Sequence, residues 1–275
     1  YADAGFVEKA AALLELHHTN QVSQVAVPNP LERSQLTHYA LAWLKGDFGL
    51  LEKARALNPD YLFPSRLHDQ LVLEWAMAQP GLDGNAAYGL GNVYFDKKRH
   101  EEAISVWEMV TPFATVARNL GIAHWNVRGD AEAAREAYKR ALELNPSDAR
   151  LLAEYDQLRA KLGDSAEARL KVLLSKPDLV RERDDCMVSL MELYNATGQP
   201  EKALELVVQH RFHPWEGGEG KVLRQYTSAR LQLGQQALAS GSPELALEHF
   251  DLAMKPPASL GEAYHPLQAK ADVNY

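Results

Sequence analysis

The feature that most limits what this chain can fold into is a recurring spacing of alanines. One unit returns along it: a Gly or polar turn, an acidic pair, Ala, three residues, a large residue, two residues and Ala. "RHEEAISVWEMV" carries it at Ala103 and Trp107, and "GDAEAAREAYKRALELNP" at Ala134, Tyr138, Ala141 and Pro146. "GDSAEARLKVLLSKP" places it at Ala168 and Val172, and "GQPEKALELVVQH" at Ala203 and Val207. "GSPELALEHFDLAMKPP" has it at Ala246, Phe250, Ala253 and Pro257. The anchoring alanines are 31, 34, 35 and 43 residues apart. The first three intervals fit a helix-turn-helix unit of about 34 residues. Alanine at such positions lets two helices approach closely, while the large residue fills the space beside it.

"Leu90-Gly91…Tyr94" and "Leu120-Gly121…His124" supply the matching first helices of two units. The N-terminal part follows the same logic more loosely. "GFVEKAAALLELHH" reads as an amphipathic helix with Phe6, Ala10, Leu13 and Leu14 on one face. "ERSQLTHYALAWLKG" reads as a helix stopped by Gly46, and "DFGLLEKARALNP" as a degenerate second helix. "SRLHDQLVLEWAMAQPG" starts near Ser65 and ends before Pro80-Gly81. "QVSQVAV" at 21–27 is the only strand candidate, and its surroundings favour a loop. The expected fold is all-α, about twelve helices stacked as antiparallel pairs in one solenoid in which each unit touches mainly its neighbours. Residues 1–84 would form degenerate helical repeats, and 85–275 the regular ones, with an inserted loop near 210–221.

Composition narrows function by exclusion. Among 275 residues the formal net charge is −8, and no run of five or more basic residues occurs. Nucleic acid and anionic membrane are therefore not expected partners, because both need a positive patch. No apolar run approaches the roughly 18 residues that span a bilayer. Cys186 is the sole cysteine and lies among apolar helical residues, which points to a buried small hydrophobe in a reducing compartment. The expected location is the cytoplasm. Tyr1 and Tyr275 both fall inside amphipathic patterns, so the expectation is a piece of a longer protein.

The alanine-aromatic-alanine-proline unit, with its Leu-Gly pair and Tyr, resembles the tetratricopeptide repeat (TPR). Several further blocks are not repeat consensus: "YLFPSRLHDQLVLEWAMAQ", "TVARNLGIAHWNVRGD", "RLLAEYDQLRAKLG", "PDLVRERDDCMVSLMELYNATGQPEKALEL", "RFHPWEGGEGKVLRQY" and "PPASLGEAYHPLQAKADVNY". Together they resemble the C-terminal region of large bacterial TPR proteins that carry a galactose-mutarotase-like β-domain at the N-terminus. The likeness covers most of 60–275. Members of that family often have Trp where this chain has Ala117, and "GEGKH" where it has "GEAYH", which argues against a ligand role for Ala263 and Tyr264. The repeat pattern leads to the expectation of a non-catalytic binding or scaffolding module, and the β-domain of the wider family adds only a hint of carbohydrate by fold-level analogy.

Two sets of residues are candidates for a site. The first lies on the first helices of the pairs, the face that lines the inside of such a solenoid: Tyr88, Asn92, Phe95, Arg118 and Trp125. It would hold a peptide, a partner protein or the chain's own N-terminal domain. Tyr88, Arg118 and Ile122 stand where a carboxylate-clamping TPR would have other residues, so that clamp is not expected.

The second set is the segment "HRFHPWEGGEGKVLRQY" at 210–226, which holds the extra residues of the 43-residue interval. It is no phosphate loop, because Gly220-Lys221 is followed by Val222 and no strand precedes it. A metal site from His210, His213, Glu216 and Glu219 lacks an evident third ligand type and spacing. The segment is echoed by "LGEAYH" at 260–265, so Glu219 and Glu262 could form a carboxylate pair of glycosidase type, with Asp184 or Glu216 as other members. Phe212, His213, Trp215, Glu216, Glu219, Lys221, Glu262 and His265 would then line a polar pocket with an aromatic platform for sugar. The alternative is structural: Phe212 and Trp215 fill an irregular turn, and the glutamates sit near helix N-termini, where the dipole favours negative charge. No cofactor is expected.

Overall fold

In a computed structural model of the chain, residues 5–22, 35–59, 62–110, 113–213 and 215–257 are described. They form two compact units, Tyr1–Leu144 and Asn145–Tyr275. The first contains α1 (Val7–Val22), α2 (Gln35–Lys45), α3 (Phe48–Ala56), α4 (Leu67–Met77), α5 (Gly84–Asp96), α6 (His100–Trp107), α7 (Ala114–Ala123) and α8 (Ala131–Leu144). The second contains α9 (Ala149–Lys161), α10 (Ala166–Leu174), α11 (Pro177–Arg181), α12 (Asp184–Ala196), α13 (Pro200–Gln209), α14 (Lys221–Ala239) and α15 (Pro243–Ala253). The all-α expectation holds: the described residues contain these fifteen α-helices and no strand. One helix that periodicity does not reveal is α11, five residues long and begun by Pro177 at its first position. The possible strand at 21–27 has its first two residues at the end of α1, and the rest lies outside the described residues.

The helices pair through one kind of turn. After α2, α5, α9, α12 and α14, the second residue past a short cap donates its N–H to the carbonyl five residues back: Asp47 to Ala42, Arg99 to Tyr94, Asp164 to Arg159, Gln199 to Tyr194 and Ser242 to Ala237, at 2.8–3.0 Å. This is the Schellman closure, which needs a left-handed residue just before the donor. Gly46, Gly163, Gly198 and Gly241 supply it, and Lys98 takes the same place between α5 and α6 with φ 63°. Between α7 and α8 the bond runs six residues, from Asp130 to His124, across Gly129. The extra residue there belongs to a π-turn, His124–Arg128, that prolongs α7.

Side-chain packing explains the alanine spacing. Ala103, Ala134, Ala203 and Ala246 are fully buried, as are Ala141 and Ala253. On the facing helix a glycine makes room for the aromatic four residues on. A Cβ at Gly91 would meet the Trp107 ring at 2.2 Å, at Gly121 the Tyr138 ring at 2.6 Å, and at Gly234 the Phe250 ring at 2.2 Å. In α12 the corresponding position, three before the Tyr, is Met191; it is fully buried and its hairpin carries the smaller Val207. Large opposite small is retained with the sizes exchanged.

One repeat departs from the expected frame. Ala168, expected as the anchor of its unit, is exposed. The buried positions of α10 are Arg169, Leu170 and Leu173, so the inward stripe is displaced by one residue. Arg169 turns inward because Asp156 of α9, itself 3% exposed, meets it with two hydrogen bonds, Nε to Oδ1 at 3.0 Å and Nη2 to Oδ2 at 2.7 Å. A buried ion pair replaces the alanine contact, and the aromatic is absent.

In the first unit a buried carboxylate ties three helices. Asp83 caps α5 by accepting the Ala86 N–H at 2.9 Å, accepts the Tyr39 hydroxyl at 2.8 Å and accepts Arg55 Nε at 3.2 Å. Gln35 and Asn85 both donate to the Ala54 and Leu57 carbonyls, which closes the C-terminus of α3 without a glycine.

Candidate functional site

The first-helix residues Asn92 and Phe95 come together with Asn119, Ile122, Asp96, Lys98 and Trp107 around an open groove of about 360 Å³ in the first unit. Asn92 is on α5 and Asn119 on α7. Arg118 Nη1 donates to Asn119 Oδ1 at 3.5 Å, and Asn119 Nδ2 donates to Asn92 Oδ1 at 3.2 Å. The relay orients the Asn92 amide and leaves its own Nδ2 hydrogens without an acceptor among the described residues. Phe95 is half-buried, its ring 5.5 Å from Trp107 and 4.6 Å from His100. Trp107 is held by its indole N–H, which donates to the Tyr88 carbonyl at 3.3 Å.

The remaining members of this set lie elsewhere. Tyr88 is half-buried with its ring 6.3 Å from Phe113, outside the groove lining. Trp125 is half-buried within the π-turn. Asn119 was not among the expected residues. Its signal is helical spacing, since it stands one turn before Ile122, but a partially exposed Asn on a helix carries no distinctive pattern.

The 210–221 segment behaves as a strap pinned at one end. His210 Nε2 lies 2.5 Å from Asp184 Oδ1, and the His213 backbone N–H donates to Asp184 Oδ2 at 2.6 Å. Burial disfavours the Asp184 carboxylate, but the bonds from His210 and His213 outweigh it and hold that carboxyl below the usual carboxylate range. Phe212 is 1% exposed and meets the His210 ring edge-on at 4.7 Å. Trp215 folds over Gly218, where an added Cβ would fall 2.2 Å from the indole. Gly217 and Gly220 have φ 77° and 72°, and Gly220 is the cap of α14. The glycines thus serve the turn and the Trp215 ring. Glu216, Glu219 and Lys221 are exposed, and Glu219 falls just outside the first turn of α14. Glu262 and His265, with the whole 260–265 echo, lie outside the described residues.

The neighbouring Asp185 has other partners. Asp185 accepts Arg183 through Nε at 2.9 Å and Nη2 at 2.7 Å, so the two carboxylates do separate tasks. Cys186 is 1% exposed, and burial pushes its thiol up to about 12, which makes it the inert hydrophobe expected. Among the described residues no group of three His, Cys, Asp or Glu is arranged to hold a metal, and no helix is long and apolar enough to cross a membrane.

The second unit has its own groove, of about 390 Å³, between α10, α11, α12 and α13. Its floor includes Leu173, Val180, Met187 and Leu190, all buried.

A family model for the tetratricopeptide repeat matches residues 128–148, where the sequence pattern is most complete. Among solved structures, the chain is similar to MamA at 18% identity, covering 66% of this chain and 96% of that one, with a TM-score of 0.42. It is similar to a tetratricopeptide repeat protein from Parabacteroides merdae at 14% identity, covering 100% and 93%, with a TM-score of 0.39. It is similar to yeast Tom70 at 13% identity, covering 98% of this chain and 58% of that one, with a TM-score of 0.39.

Proposed function

We propose that the chain is a non-catalytic binding module and that the groove between α5 and α7 holds an extended peptide segment, from a partner protein or from another part of its own polypeptide. The observation that carries this reading is the Arg118–Asn119–Asn92 relay over an apolar floor. A fixed carboxamide with donors to spare is suited to a backbone carbonyl, which every peptide offers. Phe95 and Ile122 give an apolar neighbour a place to rest. A groove of about 360 Å³ takes one or two side chains, within the range of small-ligand sites.

The test is selection of peptides from a random display library on the whole chain, followed by affinity measurement on Asn92→Ala/Asn119→Ala. Both positions are partly exposed, so the double variant should fold. Loss of about tenfold or more in affinity is expected if two hydrogen bonds are lost. Undiminished binding by the double variant would sink the reading. The described part of the strap offers no observation in favour of a sugar site, because Phe212 is buried against the His210 ring and Trp215 covers Gly218.

A further inference from the structure

The turn that borders the groove breaks the rule of the other hairpins. Five hairpin turns place glycine in the left-handed region, at Gly46, Gly129, Gly163, Gly198 and Gly241. Lys98 is the one non-glycine residue among the described residues with positive φ, at 63°, and it lines the groove with Asn92 and Phe95. A side chain in that conformation is disfavoured relative to glycine, and such strain collects where a side chain is needed for something else. The fold needs none: four of the other turns close with the same backbone bond. Among the described residues the Lys98 ammonium makes no hydrogen bond or ion pair. The neighbouring Asp96, also on the groove lining, is met by Lys97 Nζ at 2.9 Å and feels Lys98 as a second, more distant positive charge, so the turn sets two lysines against one carboxylate. The chain as a whole carries a net −8, so an excess of one positive charge at this turn is a local exception.

From this we infer that Lys98 is a specificity residue: it selects peptides that carry an acidic side chain beside the segment seated on Asn92 and Phe95. The inference rests on the reading of this groove as a peptide site and adds the chemistry of its ligand. Lys98 contributes nothing to the backbone relay, so its removal should affect acidic ligands alone.

The test uses one display-selected peptide and its counterpart with every Glu and Asp changed to Gln and Asn, each measured on the wild-type chain, Lys98→Gly, Lys98→Glu and Asn92→Ala/Asn119→Ala. The acidic peptide should bind Lys98→Gly about fivefold more weakly and Lys98→Glu more weakly still. The neutral peptide should not distinguish wild type from Lys98→Gly. Added salt should erase the acidic preference. Lys98→Gly should also unfold at a temperature about 2–4 °C higher, because glycine relieves the strained turn. A substitution that stabilises the fold and weakens one class of ligand is a signature that general damage cannot give. Equal binding of both peptides by wild type, or no loss on Lys98→Gly, overturns the inference while leaving the groove intact. Indifference to Asn92→Ala/Asn119→Ala overturns the groove reading itself, and this inference with it.

Discussion

Gly91→Ala should destabilise the first unit although it places a better helix former in the middle of α5. The added Cβ would stand 2.2, 2.4 and 2.7 Å from Nε1, Cδ1 and Cε2 of Trp107. Ordinary contact needs about 3.4 Å or more, so the ring must withdraw by over an ångström. Trp107 is 2% exposed, and a ring pushed away from α5 would lose its indole N–H bond to the Tyr88 carbonyl. Overpacking of this kind costs about 1–3 kcal/mol. The hydrogen bond adds about 1 kcal/mol, and the gain in helix propensity returns about 1 kcal/mol. The net expectation is a loss of about 1–3 kcal/mol, read as a lower urea midpoint by circular dichroism. The decisive form is a double-mutant cycle. With Trp107→Ala the clash is gone, and Gly91→Ala should then be neutral or stabilising by up to about 1 kcal/mol. An equal cost for Gly91→Ala in both backgrounds would refute the packing argument. Should Trp107→Ala prove too unstable to measure, the cycle transfers to Gly121 with Tyr138→Ala, where the Cβ would lie 2.6 Å from the ring.

Asp156→Ala should cost about 3–5 kcal/mol, because it strands the buried Arg169 charge, whereas Asp156→Leu combined with Arg169→Met should recover most of that in the same urea titration; similar losses for the single and double variants would count against the pair. Cys186, with its thiol pushed up to about 12, should resist a thiol reagent at pH 8 until urea unfolds the chain, and rapid labelling of the native protein would contradict its burial. The depressed Asp184 carboxyl contributes stability that is present above the unfolded carboxylate value near about 3.9 and lost as pH falls through the folded value. The urea-midpoint gap between wild type and Asp184→Asn should therefore narrow below about pH 4, and a gap that stays constant with pH would rule this linkage out.

How much of this was legible in the sequence differs from element to element. Alanine at 103, 134, 203 and 246 announces close helix contact because only a small side chain permits it, and the glycine on the facing helix repeats the message. The frame at Ala168 misleads for a specific reason: Arg169 is buried by a partner thirteen residues away, and periodicity counts an arginine as outward. The unusual length of the 203–246 interval was visible, whereas the pinning of that strap depends on Asp184, 26 residues before His210, a contact that only the folded hairpin creates. Its glycines and aromatics suggested a ligand loop by composition, yet they serve one another. Lys98 was hidden for the opposite reason, since a lysine in a polar turn is unremarkable until its φ is known.

Hydrogen–deuterium exchange of the whole chain with and without a display-selected peptide tests the central claim most directly. The account predicts added protection on α5 and α7, over Gly84–Asp96 and Ala114–Ala123, that disappears in Asn92→Ala/Asn119→Ala. Protection that spares both helices, or falls only on the 210–221 strap, would contradict it.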